Sequence, residues 1–252
     1  MPSRKSIPAS LLITAACLGT AAPTGPEPIG EGRRALFIGN SYLYTQDIPG
    51  IVQALADSAG GDKIAVATVA GPNLALIDHW RAATARQAIA QGGWEWVILQ
   101  QGPSSAQVNR DSLRLVSQLF AGDIASIGAE PALFSAWPAA DRTQDFPRAI
   151  ESYTLAAADV SGLLLPVASA WLAAWSRDPA LSLYADGLHA STEGAYLSAL
   201  VIYSRLLGKT PVGLPARLRL RSGAVISVSS QTALVLQAAA AEVTQAAAVL
   251  RR

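Results

Sequence analysis

The sequence predicts an α/β fold in which one parallel sheet lies between two layers of helices. Five short apolar segments alternate with segments of helical periodicity. The apolar segments are continuous rather than alternating, as in strands that are buried on both faces. The 252 residues are 51% hydrophobic and 15% charged, which is enough apolar material for one domain with a large core. We therefore expect a three-layer α/β/α sandwich with a five-stranded parallel sheet.

Turn and capping residues set the bounds of the expected elements. Asp47 predicts the start of the first long helix, and Asn73 is expected to cap the next one. Ser191 is expected to cap a helix over 192–207. Pro166 cannot donate to a ladder, so the fifth strand is expected at an edge of the sheet. The five strands are expected over 34–39, 63–70, 94–100, 131–137 and 163–168.

The first 32 residues are expected to direct export rather than to join the fold. Two basic residues precede an apolar segment that is too short to span a bilayer, which is typical of a signal peptide over 1–22. Cys17 follows two alanines, as at a lipoprotein-processing site, so lipidation and ordinary signal cleavage both stay open. A proline-rich tether is expected over 23–32 and the folded domain over 33–252. We expect a periplasmic or secreted protein, or one whose only membrane contact is a lipid anchor.

The composition argues against several other classes of protein. The net charge is +1 and the basic residues are scattered, so no nucleic-acid partner is expected. The basic segment 217–221 alternates arginine and leucine, which predicts a half-exposed strand. Cys17 is the one cysteine, so the domain has no cysteine cluster for a metal ion. We expect neither a metal nor another cofactor.

Polar residues follow the expected strands at the edge of the sheet where ligands bind. Ser41 comes directly after the first strand, in a Gly-Asn-Ser turn. A serine is a poor nucleophile without a base, and His189 can take its proton while Asp186 orients the imidazole. The other histidine, His79, follows Asp78 inside an expected helix, and we expect it to pack or to hydrogen-bond beside the site.

Three segments resemble the SGNH hydrolase superfamily, also called GDSL-type esterases, and in particular a bacterial branch of it. The segments are FIGNSY at 37–42, VAGPN at 69–73 and DGLHAS at 186–191, and the resemblance extends over 33–212. It implies a flavodoxin-like sheet and a catalytic triad of Ser41, His189 and Asp186. No cofactor is implied.

The resemblance also implies an oxyanion hole, for which Ser41 and Gly71 would supply backbone N–H groups. The superfamily usually supplies a third donor from an asparagine after the third strand, whereas this chain has Gln100 and Gln101 there. Strand residues alternate in direction, so one of the two glutamines is expected to face the site. Gln101 is the favoured donor, and Gln100 is the alternative.

These features predict an exported serine esterase that hydrolyses small acyl esters. Asn40, Asn73 and Trp137 are expected to contact the substrate. Acetylated carbohydrate is the expected substrate class, on the strength of export and of tryptophans near the site. The alternative is a non-catalytic cell-envelope binding protein that keeps the fold. Its best support is that glutamines follow the third strand where the superfamily usually has an asparagine.

Overall fold

The computed structural model describes residues 26–28 and 30–249, and it has the expected α/β/α sandwich. The large sheet is parallel throughout, with the strand order β2-β1-β3-β4-β5. This order confirms the flavodoxin-like sheet, and it places the carboxyl ends of β1, β3 and β4 next to one another. The segment predicted to be a signal peptide, including Cys17, lies outside the described residues. The strands of this sheet are β1 Arg33–Gly39, β2 Ile64–Ala70, β3 Trp96–Leu99, β4 Glu130–Phe134 and β5 Leu163–Leu165.

Helices cover both faces of this sheet, and within the described residues none of them is long and apolar enough to cross a bilayer. A 3-10 helix at Ala140–Asp145 leads into α6. The α-helices are α1 Ser41–Tyr44, α2 Ile48–Ala59, α3 Leu76–Ala82, α4 Thr84–Ala90, α5 Gln107–Ser126, α6 Phe146–Asp159, α7 Val167–Arg177, α8 Thr192–Leu207 and α9 Ser230–Val249.

The positions of two strands, β5 and β6 (Arg217–Arg219), agree with the sequence expectations. The short strand β5 lies at the edge of the sheet, and Pro166 follows it at the start of α7, where its missing N–H costs nothing. A separate antiparallel pair is formed by β6 Arg217–Arg219 and β7 Val225–Ser227. In this pair Leu218 and Ile226 are buried while the flanking side chains are exposed, as the alternating pattern predicted.

The segment after β2 differs from the expected single helix. Asn73 does not cap it, because Asn73 lies in a turn with a φ of 58° and α3 begins only at Leu76. The expected helix is also interrupted at Ala83, whose φ of 61° separates α3 from α4. An alanine in the left-handed region is unfavourable, so this break depends on contacts outside the local sequence.

Helix α8 is buried along most of its length and packs against α2, α7 and α9. It begins as expected at Ser191, whose hydroxyl accepts a hydrogen bond from the Gly194 N–H at 3.1 Å. Gly194 lies against Leu183, in the segment that leads to His189. A Cβ built there would overlap the Leu183 carbonyl oxygen and lie 2.9 Å from the Trp171 ring.

We expect Gly194→Ala to lower the free energy of unfolding by about 1–3 kcal/mol, because an overpacked core site strains its neighbours. Gly122→Ala is the matched control, since Gly122 is also inside a helix and a Cβ there would meet nothing within 4 Å. The control should be neutral or more stable by up to about 1 kcal/mol. Urea unfolding of both variants measures the difference, and equal stabilities would contradict the tight contact at Gly194.

Candidate active site

Ser41 begins α1 directly after β1, so its hydroxyl lies at the carboxyl edge of the sheet. The preceding Asn40 is 6% exposed and fixes this turn. Its Oδ1 caps the helix by accepting from the Tyr42 N–H at 3.2 Å, and its Nδ2 donates to the Leu74 carbonyl at 3.1 Å. Gln100 closes the network, because its Oε1 accepts from the Asn40 N–H at 2.9 Å and its Nε2 donates to Asn40 Oδ1 at 3.1 Å.

Asn40 supports the turn that leads into Ser41, because its side-chain oxygen and nitrogen both bond within the protein. Its contact with substrate stays a prediction. Asn73 is exposed in the turn after β2, and its contact with substrate stays a prediction.

Asp186 and His189 lie in a short loop that closes on itself. An isolated antiparallel bridge joins Tyr184 to Ala190, and the Ala185 N–H donates to the His189 carbonyl at 2.9 Å. Inside the loop, Asp186 Oδ1 accepts from the backbone N–H groups of Leu188 at 2.9 Å and His189 at 2.7 Å. The spacing of three residues thus lets one carboxylate fix both the loop and the ring.

The structure brings the three predicted triad residues together. His189 Nδ1 lies 2.7 Å from Asp186 Oδ2, and His189 Nε2 lies 2.9 Å from Ser41 Oγ. A carboxylate accepts, so Nδ1 carries the proton and Nε2 is left to accept from the Ser41 hydroxyl. The hydrogen bond from the His189 ring, followed by the two backbone N–H bonds, holds the pKa of Asp186 well below its usual range. Asp186 therefore stays ionised over the range in which a histidine titrates.

The loop of His189 is anchored to the segment that follows β4. The Trp137 indole N–H donates to the Leu188 carbonyl at 2.9 Å, and the Ala140 N–H donates to the Gly187 carbonyl at 2.8 Å. Tyr184 adds a third bond, from its hydroxyl to the Pro138 carbonyl at 2.6 Å. These three bonds position the loop of His189 against the segment that follows the carboxyl end of β4.

The prediction that Trp137 contacts the substrate is wrong, because Trp137 is fully buried. It lies in the loop after β4, which ends at Phe134 rather than at residue 137. Its ring stacks on Trp171, with centroids 4.1 Å apart and planes 12° apart, and it contacts Tyr42 at 4.9 Å. The tryptophans near the site form core and support the loop of His189, so they give no argument for a sugar ligand.

The predicted oxyanion donors are not equally available. Within the described part of the chain, the Ser41 N–H has no hydrogen-bond partner. The Gly71 N–H donates to the Gly39 carbonyl at 3.3 Å, so it continues the sheet ladder and is not presented as a free donor. His79 Nε2 lies 2.7 Å from that same carbonyl.

Neither glutamine supplies a third oxyanion donor, so the preference for Gln101 is wrong. Gln101 Nε2 donates to the Ser104 hydroxyl at 2.8 Å and the Asn109 carbonyl at 3.2 Å, and its Oε1 accepts from the Leu76 N–H. Gln100 Nε2 donates to Asn40 Oδ1 and to the Gln101 carbonyl at 2.6 Å. An amide nitrogen has two hydrogens, and both are used in each case. The glutamines organise loops instead.

His79 hydrogen-bonds beside the site, as expected. It is 3% exposed, and burial lowers the pKa of its imidazole despite the bond to Gly39 and the nearby charge of Asp78. A neutral ring with its proton on Nε2 donates to the Gly39 carbonyl, two residues before Ser41. His79 thus adds a second buried support for the nucleophile turn.

Sequence reasoning missed a cavity beside the triad, of about 320 Å³. Tyr42 and Leu188, the neighbours of Ser41 and His189 in the chain, form part of its wall. Arg142 and Asp145 also line it, and Arg142 Nε and Nη2 donate to Asp145 Oδ2 at 2.8 and 2.7 Å. The two charged residues are three positions apart in the sequence, but nothing local indicates that they line a cavity near Ser41.

No protein-family model matches the chain, and no curated protein matches its sequence significantly. Several solved structures share its fold. A protein from Slackia heliotrinireducens, described as a candidate SGNH hydrolase, is 25% identical with a TM-score of 0.56, over 70% of this chain and 100% of that one. A DUF4886 family protein from Bacteroides uniformis is 16% identical with a TM-score of 0.68, over 88% of this chain and 97% of that one.

A third similar structure is a variant of an acetyl-xylooligosaccharide esterase from Geobacillus stearothermophilus. It is 15% identical with a TM-score of 0.52, over 75% of this chain and 98% of that one. The chain therefore has the fold of the SGNH hydrolases, and the resemblance expected from its three sequence segments is confirmed.

We expect Trp137→Phe to lower kcat of ester hydrolysis by about fivefold while leaving KM within about twofold. Phenylalanine keeps the aromatic packing but removes the donor to Leu188, and a neutral hydrogen bond contributes about 1 kcal/mol. Trp94→Phe is the control, because Trp94 makes the same kind of buried N–H bond, to the Ala88 carbonyl, far from Ser41 in the fold. Steady-state kinetics with a short-chain aryl ester measures both, and equal losses would contradict the anchoring role.

Proposed function

We propose that the protein is a serine esterase that cleaves small acyl esters, with Ser41 as nucleophile, His189 as base and Asp186 as the group that orients it. The observation that carries the proposal is the hydrogen-bonded chain from Ser41 Oγ through the His189 ring to Asp186, with distances of 2.9 and 2.7 Å. These distances lie in the range that proton transfer needs. The shared fold with SGNH hydrolases and esterases adds support.

In the proposed reaction, Ser41 Oγ attacks the ester carbonyl carbon as its proton passes to His189 Nε2. The negative charge on the carbonyl oxygen is stabilised by the Ser41 N–H. The protonated His189 then gives its proton to the leaving alcohol oxygen as the C–O bond breaks, which leaves an acyl-serine. Water, deprotonated by His189, attacks that acyl group, and the tetrahedral species collapses to release the acid and restore the Ser41 hydroxyl.

The proposal includes export and an acetylated carbohydrate as substrate. Export rests on the N-terminal pattern, and cell fractionation with and without Cys17→Ala separates a lipid-anchored protein from a released one. An esterase of acetylated xylo-oligosaccharides is among the structures that share the fold, which supports a sugar ester.

We expect Ser41→Ala to abolish labelling by a fluorophosphonate probe and hydrolysis of 4-nitrophenyl acetate, because the probe reacts with an activated serine. Ser58→Ala is the control. Ser58 is exposed on α2 and its hydroxyl bonds only to the Ala54 carbonyl, so labelling should be unchanged. Undiminished labelling of Ser41→Ala would reject the nucleophile. A wild-type protein that is neither labelled nor active would favour the non-catalytic binding protein.

We expect Asp186→Asn to lower kcat by up to about 10⁴-fold without unfolding the protein. The asparagine oxygen can still accept from Leu188 and His189, but its NH₂ group facing Nδ1 forces the imidazole into the wrong tautomer. In the wild type, the lowered pKa of Asp186 keeps its carboxylate charged at mildly acidic pH, so no loss of kcat/KM there should come from protonation of Asp186. Steady-state kinetics and circular dichroism test the variant, and a folded Asp186→Asn protein with unchanged kcat would contradict the orienting role.

A further inference from the structure

The cavity beside the triad lies between the loops that follow β3 and β4. Tyr42, Ala75, Pro138, Ala139 and Leu188 give it an apolar entrance next to the nucleophile and base. Its volume of about 320 Å³ falls in the range of small-molecule sites. Because it opens beside Ser41 and His189, it is placed to hold one side of an ester whose carbonyl lies at Ser41.

Among the described residues, Arg142 and Asp145 are the only charged ones that line this cavity, and they neutralise one another. Asp145 is 7% exposed, and its Oδ2 accepts from the Arg142 guanidinium and, at 3.3 Å, from the Ser105 hydroxyl. A further negative charge would meet a carboxylate and an arginine that is already paired. The cavity therefore disfavours an acidic ligand.

Several hydrogen-bonding atoms of this cavity remain available. Within the described residues, Asp145 Oδ1, the Asn109 side-chain amide and the Ser112 hydroxyl have no hydrogen-bond partner. They offer acceptors and donors together, which suits hydroxyl groups because each can donate and accept. A long acyl chain would instead cover the Asp145 carboxylate without replacing its water, which is costly.

We propose that this cavity binds the alcohol part of the ester, and that this part is an uncharged sugar held by Asn109, Ser112 and Asp145. The proposal rests on the proposed esterase function and adds to it which side of the ester is recognised and by which residues. The apolar entrance then receives the edge of the sugar ring that carries the ester oxygen. The acyl group lies outside the cavity, on the far side of the Ser41 hydroxyl.

The test compares two acetyl esters with one acyl group and different alcohols, 6-O-acetylglucose and 4-nitrophenyl acetate. We expect Asn109→Ala to raise KM for the sugar ester about five- to tenfold, the size of one lost hydrogen bond, and to lower kcat/KM for it at least fivefold more than for the aryl ester. Gln107→Ala is the control. Gln107 lies on the same helix turn, bonds to Asp111 and does not line the cavity, so both esters should be unaffected.

A second variant, Asp145→Asn, tests the charge argument. The wild type should prefer 6-O-acetylglucose over an acetylated glucuronic acid by at least tenfold. Asp145→Asn leaves the Arg142 charge unpaired and should reduce that preference at least fivefold. A preference that does not change would overturn the assigned role of Asp145.

The outcomes separate this inference from the proposed function. Ser41-dependent hydrolysis of 4-nitrophenyl acetate without hydrolysis of the sugar ester would overturn the sugar site and leave the esterase intact. Faster hydrolysis of 4-nitrophenyl octanoate than of both acetyl esters would also overturn it, because the cavity would then hold the acyl chain. Equal losses on both acetyl esters in Asn109→Ala would do the same. Absence of hydrolysis of any ester would remove the proposed function and the sugar site together.

Discussion

The hydrogen bond from the Trp137 indole to the Leu188 carbonyl is the contact on which the active-site geometry most depends. His189 lies in a loop, and loops are more mobile than the elements that they connect. Trp137 has no such freedom, because it is fully buried and stacked on Trp171. His189 is thus held by core packing as well as by the bonds within its own loop, and Asp186 can remain largely exposed without losing the alignment of the ring.

The turn that carries Ser41 is held in a different way, by a network of buried polar side chains. Gln100 and Asn40 bond to each other twice, while His79 binds the carbonyl of Gly39. Buried polar groups are costly unless each finds a partner, and here the side-chain oxygens and nitrogens of Asn40 and Gln100, together with His79 Nε2, are paired in a way that specifies one backbone path into Ser41. The two halves of the site therefore have separate supports, one aromatic and one polar, which meet where Tyr42 donates to the Trp137 carbonyl.

The sequence predicted those features that short-range rules control. Continuous apolar runs gave the five strands, the capping serine gave the start of α8, and the three-residue spacing of Asp186 and His189 fits a turn that any chain of that sequence can form. The errors about the site concern side chains with distant partners. Gln101 was expected to face the site because strand residues alternate, but its amide bonds to Leu76 and Asn109, on other segments.

Burial was likewise underestimated for residues that follow a strand. Trp137 comes after β4, where ligand-contacting residues are common, yet its ring is covered by α7 and the loop of His189. The pair Arg142 and Asp145 has no signal in the sequence beyond its spacing, since many exposed helices carry such pairs. Which side chain reaches a site and which supports it depends on packing across the sheet, and a single sequence does not contain that information in a local form.

Ser41 and His189 are 148 positions apart in the chain, and the hydrogen bond between them joins the turn after the first strand to the loop that precedes α8. A chain made only as far as β5 would carry the serine without the partner that the proposed reaction needs. The order of the chain thus ties the proposed activity of Ser41 to the presence of nearly the whole domain.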